Sequence, residues 1–493
     1  MLLWSACTQT PSTYPNIHQE ESAELKLSSS DSALVEIFNW AVLASKGHVG
    51  SDNDPVGPWY EAALPDRAAF CMRDMSHQCI GEEINGHGKQ NLNMMTRFME
   101  NISESKDFCS YWEINKDNLP APVDYESDID FWYNLPANFD VIDACFRLYL
   151  WTGNETYISH PDFVRFRELT LNRYIERWQL QPDKIMKRPT VMNEPNPLPA
   201  TMRFRHARGI PSYDESISGL HVTCDLIAVM YKACIVSSDI MKYYAGNHRL
   251  SDEYRKKAET YYQLYESWWN PVTQRYYYAS VGDRFLEEGG SEIYVPWYGA
   301  ETPSNTVKST GNLVRDPARL TQMLNRLSEK NYNIEVRSYY PMIYYRYGMN
   351  DIAYRYLKNL YADERRDYPE IASATIEGIV SGMIGIEPDA LRNTIRTCPR
   401  LTDATQWVSV ENVPVFSGWI SVSHASPQKT SFVNKTKKDI TWRACFQGNY
   451  RTIIYNGKSI KTDKFKDGIG NTYSFIEIPC KPGMMITAEA VVR

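Results

Sequence analysis

The chain has 493 residues and a formal net charge of −7, long enough to bury a large core and to divide into more than one domain. Acidic and basic residues interleave with no Arg/Lys block, which argues against nucleic acid as a partner. No apolar run approaches the roughly 20 residues a membrane span needs.

Composition adds two further hints. The 34 Tyr and 13 Trp against 16 Phe suit wet concave surfaces such as sugar clefts, and equally suit Tyr packed between helices. The ten cysteines show no CxxC and no metal-like spacing with His, so no metal site is expected, and Cys71 and Cys79 read as buried thiols. Neither a Gly-rich phosphate loop nor a dinucleotide fingerprint occurs, so no cofactor is expected.

In chain order, residues 1–25 read as a tail. "MLLWSACTQTPSTYPNIHQEES" resembles the end of a bacterial lipoprotein signal peptide. That resemblance implies export to the periplasm or cell surface, with a lipid anchor on Cys7 and a tether after it. Apolar periodicity then predicts helices near 31–46, 74–101, 136–152, 161–178, 217–244, 251–269, 316–329, 337–347, 350–361 and 370–384. "DEYRKKAETYYQLYESWW" is charged along one side, as an outer helix needs, whereas "SISGLHVTCDLIAVMYKACIVSS" is apolar nearly all round, as an inner helix needs. Such alternation over residues 26–400 is what a ring of helical hairpins looks like. From residue 401 to 493 the pattern changes to period-two alternation with Asn-Gly and Pro-Gly turns, which predicts a small antiparallel β-domain, read as a sandwich.

Acids gather where loops meet inner helices. The first junction is "FCMRDMSHQ", with Arg73 and Asp74. The second runs from "SYWEINK" to "DFWYNLPANFD", with Trp112, Glu113, Asp130 and Trp132. The third is "GIPSYDESISGLH", with Glu215, and the fourth is "YPEIASATIEGIVSG", with Glu370 and Glu377. Acids at helix starts also cap helices and oppose the dipole, so a single junction carries little information. In a ring, however, all four would open at one mouth. His77, His87 and His221 read as core or cleft hydrogen-bonders.

These stretches, together with "WWNPVTQRYYY" and the β-domain that follows the last acid-bearing helix, resemble the six-hairpin glycosidases, the group that includes α-L-rhamnosidases, glucoamylases and trehalases. The resemblance implies a mainly α fold, an (α/α)6 barrel followed by a β-domain. It implies a glycoside hydrolase acting on plant or host oligosaccharides or polysaccharides, by an inverting mechanism with its carboxyls about 6.5–9.5 Å apart. The position of Asp74 after Arg73 implies a general acid or a sugar-binding anchor. Glu370 is then the expected general base, Glu215 the competing acid, and Glu377 a buried support. Expected substrate contacts are Arg73, Trp112, Glu113, Asp130, Trp132, Trp297, Tyr298, Arg337 and Tyr340.

Two other readings fit the same residues. A polysaccharide lyase or sugar epimerase on a helical toroid would use Arg337, Tyr339 and Tyr340 in "NIEVRSYYPMIYYRYG" as neutraliser and base. A glycan-binding protein without catalysis would keep the stacking aromatics and need no opposed acids.

Overall fold

Asp31 accepts hydrogen bonds from the backbone N–H groups of Ala33 and Leu34 and so starts α1, Ser32–Gly47. Eleven further main helices follow in the computed structural model, which describes residues 24–65, 67–188, 201–217, 219–299 and 312–491. They are α2 (Met72–Ile84), α3 (Gly88–Glu100), α4 (Ala137–Thr152), α5 (Pro161–Leu169), α6 (Cys224–Asp239), α7 (His248–Glu266), α8 (Tyr294–Gly299), α9 (Pro317–Ser328), α10 (Tyr340–Arg346), α11 (Asn350–Ala362) and α12 (Pro369–Glu377). Cys7 and the lipoprotein-like tail lie outside the described residues.

The even-numbered helices are the buried ones: every residue of α6 and α8 is buried, and nearly every residue of α2, α4 and α12. The odd-numbered helices keep one wet face, as α7 does with only Ser251, Tyr254, Ala258, Tyr261 and Tyr265 buried. Buried helices pack on one another in order, α2 on α4, α4 on α6 and α6 on α8. Trp297 of α8 meets Tyr339, just before α10, edge-on at 5.2 Å. Then α10 packs on α12, and α12 returns to α2. This last approach depends on Gly81, because a Cβ there would lie 2.1 Å from the Ser373 carbonyl oxygen.

Several predicted segments are subdivided. The helix expected over 74–101 is two, because Gly86 takes a left-handed φ of +92° and turns the chain between α2 and α3. The segment expected over 217–244 begins as the strand Leu220–Thr223, and α6 starts at Cys224. After Glu377, α12 continues as a wider π-helical turn over Gly378–Met383.

The C-terminal part is two sheets. Seven strands run in the order Lys26–Ser29, Val408–Val415, Gly418–Ser426, Lys429–Asn434, Met485–Ala490, Thr452–Tyr455 and Lys458–Lys461. Five more run Glu387–Asp389, Thr394–Thr397, Ile440–Gln447, Thr472–Cys480 and Asp463–Lys466. All pairings are antiparallel except that of Thr394–Thr397 with Ile440–Gln447. Trp442 fills the space between the sheets, stacked on Phe432 at 5.3 Å, whereas Trp407 is exposed. His424 ties this part to the helices by donating from Nε2 to the Ile384 carbonyl, 2.9 Å away. The nine cysteines among the described residues, Cys71 and Cys79 included, are buried free thiols.

Candidate active site

Four buried helices open with an acid in their first turn: Asp74 on α2, Asp140 on α4, Asp225 on α6 and Glu370 on α12. Helix N-termini carry partial positive charge, which offsets part of the cost of burying these carboxyls. Asp225 accepts from the Tyr213 N–H at 2.7 Å and from Thr223, and therefore braces the loop before α6. The other three face the interior.

Arg73 Nε donates to Asp74 Oδ1 at 2.7 Å, so Asp74 stands as an ion-paired carboxylate. Glu370 has the opposite environment. It is buried, its Oε1 makes no hydrogen bond among the described residues, and burial together with the charge on Asp74 pushes its carboxyl well above the usual range, against the pull of Arg73. An ion-paired carboxyl and one that burial pushes toward its protonated form thus stand side by side. Glu370 lines a small pocket with His77, Gln78, Trp297, Tyr339 and Glu377. Both amide atoms of Gln78 are also buried there without a hydrogen bond among the described residues. Buried polar atoms are rarely left so, and a polyhydroxylated ligand would satisfy them.

A hydrogen-bonded aromatic cage forms the floor. Asp140 accepts from the hydroxyls of both Tyr213 and Tyr298. His77 Nε2 lies 3.3 Å from the Tyr298 hydroxyl and 3.4 Å from Asp140 Oδ2, and its Nδ1 meets the Tyr339 hydroxyl. The Tyr294 hydroxyl donates to that of Tyr339 at 3.4 Å. The guanidinium of Arg73 sits over the Tyr213 ring at 5.5 Å.

A second acidic wall comes from loops. Arg67 Nη1 donates to Glu113 Oε2 at 2.8 Å and lies 3.8 Å from Asp124 Oδ2. Burial and the charge of Glu113 push Asp124 up to about 7. Glu215 accepts from Asn134 Nδ2 at 3.1 Å, and burial raises its carboxyl too, opposed by Arg73. Trp112 packs edge-on to Tyr133 at 6.1 Å and tilted against Tyr213 at 6.5 Å.

Solved structures resemble this chain over most of its length. The α-L-rhamnosidase of Dictyoglomus thermophilum superposes with a TM-score of 0.58 at 10% identity, covering 96% of this chain and 51% of that one. The GH78 rhamnosidase of Bacillus sp. GL1 gives 0.56 at 11%, covering 83% and 40%. The α-L-rhamnosidase of Streptomyces avermitilis, solved with L-rhamnose, gives 0.53 at 8%, covering 94% and 42%. The chain shares the fold of these solved structures. This chain spans about half the length of those proteins or less. No family profile and no curated protein matches it by sequence.

Within this fold, the expected site residues fall into two groups. Glu370 and Trp297 line the pocket, Arg73 and Asp74 act on Glu370 through their charges, Tyr298 joins the aromatic cage, and Glu113, Glu215, Trp112 and Trp132 form the loop wall. Three lie elsewhere. Tyr340 is buried among Tyr344 and Tyr356 with its hydroxyl on the Leu327 carbonyl, because the helix start points Tyr339, one residue earlier, into the cage. Arg337 is committed to Asp363 at 2.5 Å and to the Tyr332 carbonyl. Asp130 caps a loop by accepting from the N–H groups of Arg203 and Phe204. Glu377 sits deeper on α12, 3.9 Å from Arg346. The expected set omitted Gln78, Asp140, Tyr213, Tyr294, Arg67 and Asp124, and placed His77 only as a general hydrogen-bonder. Spacing carried a signal for two of these: His77 and Gln78 follow Asp74 by three and four residues on one helical face.

Proposed function

We propose that this protein is an inverting glycoside hydrolase, with Glu370 as proton donor and Asp74 as the carboxylate that activates water. The observation that carries this reading is the buried Glu370 carboxyl, pushed toward its protonated form beside the Arg73–Asp74 ion pair, in a pocket whose Glu370 and Gln78 polar atoms lack hydrogen bonds among the described residues. Cleaving a glycosidic bond needs one acid to protonate the leaving oxygen and one ionised carboxylate. The sequence favoured Glu370 as base. Its buried, proton-retaining environment favours the acid role, and the ion pair with Arg73 favours the charged role for Asp74.

Glu215, on the opposite wall with Asn134 and Trp132, is placed to hold sugar hydroxyls and is the competing catalytic acid. Trp297 and Trp112 supply stacking faces, and Tyr298 positions Asp140 and His77. A lyase would need a free cation to neutralise a uronate, and Arg337 is already committed to Asp363. This supports hydrolysis on a closed (α/α)6 toroid.

The test is reducing-sugar release from a panel of plant and host glycans by wild type, Glu370→Gln and Asp74→Asn, with ultraviolet absorbance followed in parallel. Loss of the proton donor is expected to lower kcat about 10²–10⁴-fold. Release that persists in Glu370→Gln, or an absorbing unsaturated product, would overturn the assignment.

A further inference from the structure

The buried helices carry acids at their N-terminal ends and cations toward the other. Arg147 of α4, Lys232 of α6 and Arg346 of α10 line a second chamber with Trp151, Trp297 and Met342. The chamber opens to solvent on one side. Trp297 is the partition, since it borders this chamber and the Glu370 pocket alike.

The charges here do not cancel. Asp143 is bound by Arg147 Nε at 2.9 Å, Glu377 is 3.9 Å from Arg346, and Glu387 is held by Arg396 and Arg400 of the strand segment. Lys232 is left over. It is 6% exposed and makes no hydrogen bond or contact ion pair among the described residues, with Asp143 and Asp239 acting on it only from a greater distance. Arg147 Nη1 is likewise buried without a hydrogen bond there, although Nη2 donates to the Ser76 carbonyl at 2.7 Å. Cations near helix C-termini are favoured by the dipole, which accounts for Arg346 at the last position of α10. It does not account for Lys232 in the middle of a wholly buried helix, where burial lowers its pKa against the longer-range pull of Asp143 and no carboxylate makes a contact ion pair with it among the described residues.

We propose that this chamber is a binding site for a small organic carboxylate, held by Lys232 and Arg147 with its apolar body against Trp151, Trp297 and Met342. A planar carboxylate matches a guanidinium edge, and the aromatic and thioether walls suit a ligand with an apolar body better than inorganic phosphate. The guanidinium groups of Arg147 and Arg346 lie 5.8 Å and 5.2 Å from the Trp297 ring, so cations and an aromatic wall adjoin in this chamber. The proposal stands independently of the hydrolase reading.

Thermal midpoints of the full chain, measured in benzoate, inorganic phosphate and chloride at equal ionic strength, test it. The wild-type midpoint is expected to rise saturably with benzoate and not with chloride. Lys232→Met and Lys232→Gln, relieved of the buried charge, are expected to melt higher than wild type in chloride and to gain nothing from benzoate. Fluorine NMR of 4-fluorobenzoate with wild type gives a readout that needs no variant. Absence of saturable binding by wild type, an equal rise in the variants, or a rise with phosphate alone would overturn the proposal.

Discussion

Glu370 carries two opposed demands, a buried proton for chemistry and a carboxyl that costs stability when it ionises. Its folded-state pKa lies above the unfolded one, so the folded chain binds more protons in the interval between them, and stability falls as pH rises through it. Glu370→Gln removes that loss. Chemical denaturation should find the variant more stable than wild type at neutral pH by about 1–3 kcal/mol, with the gap closing below the ordinary glutamate range. Wild-type kcat should fall on the alkaline side as Glu370 loses its proton, a limb absent from the residual activity of the variant. Asp74 and Glu370 were legible in sequence because a carboxyl inside an apolar helical pattern is conspicuous. Asp124 was not, since it lies in a loop with no period, and only the fold brings Arg67 and Glu113 beside it.

At the scale of elements, the site depends on how closely α2 and α12 approach, because they carry Asp74 and Glu370. Gly81→Ala would force a Cβ against the Ser373 carbonyl and separate the two helices. Urea unfolding should show a loss of about 1–3 kcal/mol, accompanied by a fall in kcat larger than any change in KM. Helix positions were readable because burial repeats along them, and Asp316 marked the start of α9 by accepting from the Ala318 and Arg319 N–H groups. The break between α2 and α3 was harder to read. Gly86 and Gly88 are tolerated inside many helices, and only the left-handed turn at Gly86 distinguishes this case. Tyr339 and Tyr340 show the same limit more sharply, because adjacent residues at a helix start point in different directions and no periodicity says which enters the cavity.

Across the whole molecule, His424 joins the β-sheets to the helices. It is fully buried, and burial lowers its pKa from an ordinary 6.5 to about 4, against the hydrogen bond to Ile384. The unfolded chain therefore binds more protons in that interval, and stability is lost as pH falls from 6.5 toward 4. The loss amounts to on the order of 3 kcal/mol by the linkage constant. A calorimetric pH series should show this acid limb in wild type and a shallower one in His424→Gln. The C-terminal β character was plain from alternation, but the partner strand at Lys26–Ser29 was invisible, since four residues carry no usable period.

That strand also sets a timetable. Lys26–Ser29 pairs with Val408–Glu411, so this strand finds its neighbour only after almost four hundred further residues have been added. At elongation rates of roughly 5–20 residues per second, the interval is about 20–80 s. Throughout it the helical hairpins can form while the edge partner of the seven-stranded sheet has no ladder to join. A nascent chain arrested before residue 408 should therefore be protected from protease over α2–α7 and cleaved around Lys26.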